Sequence, residues 1–335
     1  MKKPGKILIA GIIIFFLAAG SAFSKDLDDL QKSVGNFSKD MAKSLPFNST
    51  MGLNWADAYI GKFFPSIPPH FGFGVSVGTT FLDIDAMNEV FGVFDGKMPD
   101  SFGLPLLGYT MEGRLGGIGL PFDIGFKIGF LPDAIPLLQD GFGIGLKYFL
   151  VGADIRYSII PEKIPLVRAS IGLGYNYLNG GISKTIPTGK TGQNLEFGGY
   201  KLNIEDPTVG LRWETNCIEL KAQASLNFLV VAPYIGIGLN WAMSSAGYAI
   251  DSKITLTDSE GEEVKDVSKT LKDNKFGNIN VNKNGIESMT DHTAINTRVY
   301  GGMALNMGLL KLDITGMFDI FTQNYGGTIG IRFQL

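Results

Sequence analysis

After His70 the sequence keeps a two-residue hydrophobic period to its last residue, and that period is satisfied only by extended strands whose two faces meet different surroundings. Phe122, Ile124, Phe126, Ile128 and Phe130 share one face, with Asp123, Gly125, Lys127 and Gly129 between them on the other. Ile218, Leu220, Ala222, Ala224, Leu226 and Phe228 repeat the contrast against Glu219, Lys221, Gln223, Ser225 and Asn227. A soluble β-sandwich alternates as well, so run length and the connections decide between the two. The pattern predicts about twelve strands, near 71–80, 106–119, 121–130, 141–159, 166–178, 196–214, 217–229, 233–243, 248–257, 293–306, 309–321 and 326–335. Outward parity shifts between Tyr148 and Val151, which calls for a bulge or a turn, and 196–214 is equally ambiguous. Reading both as hairpins gives fourteen strands.

With the strands numbered in turn, the connections near 120, 160–165, 215–216, 244–247 and 307–308 fall on one side and are short. Those at 81–105, 131–140, 179–195 and 258–292 fall on the other and are long. An even strand count with short turns on one side and long loops on the other resembles the bacterial outer-membrane β-barrel proteins. The resemblance implies an all-β fold, a transmembrane antiparallel barrel in the cell outer membrane with its short turns and both ends in the periplasm. In the last strand Ile329, Ile331, Phe333 and Leu335 alternate with Gly330, Arg332 and Gln334. This is similar to the C-terminal strand that the barrel-assembly machinery recognises, with Leu335 where an aromatic residue is usual.

The N-terminal part has a different period. Lys2, Lys3 and Lys6 precede the apolar run Ile7–Leu17 and small residues ending at Ser24, the pattern of a signal peptide over 1–24. Residues 25–70 read as a helical segment, a plug or a periplasmic piece, and 71–335 as the barrel. Leu27, Leu30, Val34, Phe37 and Met41 form one helical stripe, and Trp55, Tyr59 and Phe63 suggest a second, shorter helix before Pro65. Cys217 is the single cysteine, which excludes an internal disulfide, a four-cysteine zinc site, an iron–sulfur cluster and a lipidated N-terminal cysteine. A net charge of −3 offers no basic face for nucleic acid. No residue constellation calls for a cofactor.

The alternation assigns Glu112, Arg114, Asp123, Lys127, Asp154, Arg156, Arg168, Arg212, Glu219, Lys221, Asp313 and Arg332 to the lumen, together with Lys147, Glu214, Lys311 and Asp319. A lysine or arginine on the lipid face would cost ~2–4 kcal/mol at the midplane. These charges either pair to fill a narrow interior or set solute selectivity. Tyr109, Tyr148, Tyr157, Tyr175, Tyr177, Trp213 and Trp241 read as outward girdle residues, and Tyr234 and Tyr300 as lumen residues. In the long connection 81–105, Met87, Val90, Phe91 and Phe94 make an apolar stripe, a lid or a landing site for a hydrophobic ligand. The polar stretch 258–292 reads as a solvated surface loop, and its acidic cluster at 258–263 matches no calcium-loop spacing.

Catalysis finds little footing. His70 and His292 are the two histidines and lie at opposite ends of the barrel wall, leaving His292 as the sole candidate base for a lipid-modifying enzyme. Thr188-Gly189-Lys190-Thr191 lacks the first glycine of a phosphate loop. A plug, an apolar outer loop and a barrel of this size resemble the FadL-like transporters of hydrophobic compounds, in architecture only. The expectation is therefore a non-enzymatic channel or transporter for small, including hydrophobic, solutes. The alternatives are an adhesin or scaffold that works through its long loops and the His292 enzyme. Outer-membrane lipid and the assembly machinery are the expected partners.

Overall fold

The computed structural model describes residues 24–60, 70–82, 104–117, 121–131, 144–160, 166–185, 193–197, 199–264, 270, 280–282 and 285–335. It contains a helix, α1 (Ser24–Ser49), and the strands β1 (His70–Leu82), β2 (Leu104–Gly116), β3 (Phe122–Leu131), β4 (Ile144–Ser158), β5 (Val167–Thr185), β6 (Gln193–Phe197), β7 (Tyr200–Leu226), β8 (Val231–Thr257), β9 (Asn280–Asn282), β10 (Gly285–Met307), β11 (Leu310–Asp319) and β12 (Tyr325–Gln334). All neighbours pair antiparallel, in the order β11-β12-β1-β2-β3-β4-β5-β7-β8-β10, and β10 pairs β11 to close the ring. Closure leaves the ring itself without an edge, the condition for a sheet to sit in lipid. The short β6 and β9 lie outside the ring, paired with β7 and β10.

The barrel therefore has 10 strands rather than twelve or fourteen. The turns expected at 215–216 and 244–247 are not turns. β7 and β8 run unbroken through them, each 27 residues long, with Thr215 directly opposite Ser244. Small polar residues there imitate turn chemistry, but the two hydroxyls bond each other across the strands at 2.6 Å inside the wall. The stretch around Tyr148 is one continuous strand without a bulge, and β5 extends to Thr185 into what was expected to be loop. Part of 258–292 is also strand, because β10 already begins at Gly285. At 258–262 the Asp258 carboxylate accepts the backbone N–H groups of Glu260 and Glu262, which makes the acidic cluster a turn.

Merging two pairs of strands leaves the loop asymmetry standing. Short connections at 117–121, 159–166, 227–230 and 308–309 share one end, here the short-turn end, where Leu335 N–H donates to the Phe71 carbonyl. The long connections after β1, β3, β5 and β8 share the other, the long-loop end, along with one short turn at 320–324.

Outside, the wall is apolar over a band. On β8, Ile235, Ile237, Leu239, Trp241 and Met243 are all exposed, and on β7 Ile218, Leu220 and Leu226. That stretch of β8 matches the ~9–11 tilted residues that cross a bilayer. On β7 the band gives way towards the long-loop end to polar outward positions, Asn216, whose Oδ1 accepts the Tyr175 hydroxyl at 2.6 Å, then Glu214 and Arg212. An apolar belt this continuous is not left facing water, so the barrel is a membrane-spanning one. α1 itself is not apolar enough to cross a membrane.

Candidate functional site

The interior of the barrel is occupied by the chain's own N-terminal segment. Gly35 and Asn36 of α1 are exposed, whereas every residue from Ser44 to Ile60 is buried. Asn296 Nδ2 donates to the Lys43 carbonyl at 3.1 Å, and Asn48 Nδ2 to Thr80 Oγ1 at 2.6 Å, both in the long-loop half of the wall. From there the chain descends, and Ile60 N–H reaches Asp123 Oδ2 at 2.9 Å beside the short turn into β3. The segment thus threads the whole lumen, with the amino end of α1 at the long-loop mouth and Ile60 at the short-turn mouth.

No second helix forms over 50–60, against the expectation from Trp55, Tyr59 and Phe63; Phe63 lies outside the described residues. Gly52 and Leu53 take φ of 80° and 57°, left-handed values just past the end of α1 at Ser49 that keep the chain from resuming a helix. A Cβ on Gly52 would meet Thr110 Oγ1 at 2.7 Å, so glycine is needed both for conformation and for space.

An irregular segment inside a barrel has neither helix nor sheet to pair its backbone, so its groups must be satisfied by wall side chains. Lys127 Nζ donates to the carbonyls of Ser49 (2.8 Å) and Met51 (2.5 Å). Glu112 Oε2 accepts Leu53 N–H at 2.9 Å and the Trp55 indole at 2.6 Å. Gln223 and Tyr234 donate to the carbonyls of Trp55 and Asn54, and Asp313 and Ser225 accept the N–H groups of Ala56 and Ala58. Arg156 and Arg168 reach the carbonyls of Asp57 and Tyr59 at 2.9 and 2.8 Å.

Behind these contacts the wall charges pair with one another. Arg114 donates to Asp123 at 2.5 Å and to Asp154 at 2.9 Å. Arg156 holds both oxygens of Asp123, at 2.8 and 2.7 Å, and Lys221 lies 2.5 Å from Asp154. Arg298 bonds Glu219 Oε1 at 2.7 Å and Asn54 Oδ1 at 3.0 Å, and Arg332 bonds Asp313 Oδ2 at 2.6 Å. A lone charge here would carry an uncompensated desolvation penalty, so the network fixes each side chain's direction.

Of the residues assigned to the lumen, Glu112, Arg114, Asp123, Lys127, Asp154, Arg156, Glu219, Lys221, Asp313 and Arg332 are buried inside it, and Arg168 points in from the short-turn rim. Lys311 also points in, onto the thread, while Asp319 Oδ1 caps the turn N–H groups of Phe321 and Thr322. Arg212 does not line the lumen. It is exposed and pairs with Asp251 on the outer wall beyond the apolar band, and Lys147 and Glu214 share that outward parity. Trp213 and Tyr148, expected outward, are buried inside at 4% exposure. The cause is common to all five: a supposed turn at 215–216 and a supposed shift after Tyr148 each move the register by one residue, which flips every side chain to the opposite face. Met87, Val90, Phe91 and Phe94 lie outside the described residues.

Two functional residues were not anticipated. Arg298 follows the inward period of Asn296 and Tyr300, which could have found it. Asp57, in the thread, is 2% exposed and receives Lys311 Nζ at 2.7 Å and Arg332 Nη2 at 2.9 Å, with Arg168 Nη1 at 3.8 Å. Its helical-looking neighbourhood hid it. His70 sits at the short-turn end opposite Gly116, and His292 in the long-loop half opposite Ser244, so the two share no site.

No protein-family model matches the chain, and no curated protein does. Among solved structures it is similar to a major outer membrane protein from Thermus thermophilus, at 11% identity over 79% of this chain and 99% of that one, with a TM-score of 0.29. It is similar also to the translocator domain of the autotransporter NalP from Neisseria meningitidis (10% identity, 88% and 95% covered, TM-score 0.35) and to the Pseudomonas putida toluene transporter TodX (8%, 80% and 89%, 0.26). These are bacterial outer-membrane β-barrels. The likeness is one of fold alone. What the lumen does rests on its own residues.

Proposed function

We propose that this protein is a channel or transporter of the bacterial outer membrane for small solutes, exported by a signal peptide cleaved near Ser24 and closed at rest by its own N-terminal segment. One observation carries the reading: the lumen is filled not by the wall's side chains alone but by a separate stretch of polypeptide held through noncovalent contacts. Barrels of about eight strands are packed by their side chains, and ten leave room for a further chain. A barrel serving only as an anchor has no need of a removable core. On this reading the short-turn end faces the periplasm, the long-loop end faces outward, and the protein performs no chemistry. Its partners are outer-membrane lipid and the assembly machinery that takes up the last strand. A hydrophobic solute would depend on Met87, Val90, Phe91 and Phe94; the lumen residues themselves support small solutes only.

Planar-bilayer conductance tests it. The full chain is expected to stay closed, and the barrel lacking 25–60 to conduct. Should that deletion fail to fold, a protease site inserted between Ile60 and His70, cleaved in the folded protein and followed by a denaturant wash, releases the same segment. A folded barrel freed of the thread that neither conducts nor passes a small solute overturns the reading.

A further inference from the structure

The cluster around Asp57 goes beyond closure. Its carboxylate is the only anionic side chain the described thread, 50–60, carries, and it is held by cations that come from opposite walls of the ring: Lys311 on β11 and Arg332 on β12 on one side, Arg168 on β5 on the other. Lys311 and Arg332 both reach Asp57 Oδ2, at 2.7 and 2.9 Å, while Arg168 stands 3.8 Å from Oδ1. Elsewhere the wall meets the thread's backbone and the neutral side chains of Asn54 and Trp55; here it recognises a charge. If the thread leaves, Asp313 remains against Arg332, but the Asp57 carboxylate is withdrawn from Lys311, Arg332 and Arg168 together.

We propose that Lys311, Arg332 and Arg168 form a binding site for a small carboxylate or phosphate, in which the Asp57 carboxylate is the tethered occupant of the closed state. Guanidinium groups matched to a planar or tetrahedral oxyanion, with an ammonium beside them, suit both chemistries. Cations converging from two walls also place the site across the path of any solute. The inference rests on the channel reading for exchange of occupants, and it makes the open barrel a conduit for anions.

Two measurements separate it from that reading. In a potassium chloride gradient, the barrel freed of 25–60 is expected to show a reversal potential favouring chloride, and the pair Lys311→Gln with Arg168→Gln to bring it towards potassium. A conducting barrel that is unselective or prefers potassium overturns the site while leaving the channel standing; a silent barrel overturns the channel alone. The site is then judged on the full chain. Asp57→Asn empties the cradle of its charge, so inorganic phosphate or acetate is expected to raise the unfolding temperature of this variant in detergent more than that of the wild type. The anion with the larger selective shift names the class. Equal shifts in both proteins overturn the proposal.

Discussion

The two halves of the lumen hold one polypeptide by different means. In the long-loop half, Met41, Ala42, Leu45 and Phe47 of α1 join a cluster with the inward side chains Leu82, Leu150, Leu178 and Trp213, an apolar core of the kind found inside a soluble domain. In the short-turn half the thread is irregular, neither helix nor strand, and the wall meets it with Glu112, Lys127, Asp123, Arg156 and Asp313. Conformation explains the division. A helix satisfies its own backbone and offers the wall only a stripe to bury, so apolar wall residues complement it. An irregular chain offers unpaired N–H and C=O groups, so the wall must supply donors and acceptors. The network of buried ion pairs lies where the thread is not helical.

The sharpest way to break this comparison is to remove a charge from the ionic half. Arg156→Ala leaves Asp123 with Arg114 as its one paired cation among the described residues and strips the Asp57 carbonyl of its donor. Breaking one partner of a buried pair costs about 3–5 kcal/mol. Urea unfolding in detergent is expected to show that loss, and, in variants that keep Trp55 or Trp213 as the single tryptophan, the emission of Trp55, which sits among Glu112, Arg332 and Gly72, to shift before that of Trp213 in the other half. Emission from both tryptophans shifting together would mean that the lumen behaves as one unit. Arg156→Lys is expected to rescue little, because an ammonium cannot replace the two-point contact with Asp123 and reach the thread as well.

Leu45→Ala makes the complementary break. Leu45 is 0% exposed in the apolar half, and truncating a buried leucine costs about 2–5 kcal/mol depending on how far the site collapses. Here the Trp213 signal is expected to move first and Trp55 to follow. A loss well below that range would show that α1 is held by its end contacts at Asn48 and Lys43 and not by its stripe.

The same division governs how much was legible in the sequence. Where the wall is ionic, polar and apolar residues alternate without ambiguity, and Asp123, Lys127, Glu219 and Lys221 could be assigned to the lumen from their spacing. Where the inward residues are themselves apolar, both faces of a strand read alike and parity is lost. Tyr148, Leu150 and Leu178 belong to the core around α1, but nothing on their own strands distinguishes them from lipid-facing residues. That loss of parity is why a bulge was expected after Tyr148 and turns near Asn216 and Ser244. The strand count failed through the same stretches, while the loop asymmetry survived because two adjacent strands were merged each time. The thread was hidden for another reason. Residues 53–60 carry apolar side chains at helical spacing, and only the wall's carboxylates and guanidinium groups, distant in sequence, make a non-helical path favourable.

Arg212→Ala gives the smallest expected effect and the clearest control. By alternation Arg212 and Arg156 looked equivalent, each a charge within an apolar run. In the barrel the Arg212 side chain is 46% exposed and its partner Asp251 50%, beyond the apolar band, against 1% for Arg156. Water screens an exposed pair and replaces its hydrogen bonds when it breaks, so the loss should stay within ~1 kcal/mol. Raising the salt concentration should shrink it further, since exposed charges are screened over a Debye length of ~8–10 Å at 0.1–0.15 M. Arg156→Ala should be nearly indifferent to salt, because no ion reaches the pair it leaves behind. A destabilisation by Arg212→Ala as large as that of Arg156→Ala would put Arg212 back inside the lumen and undo the register on which the division of the barrel into an apolar and an ionic half depends.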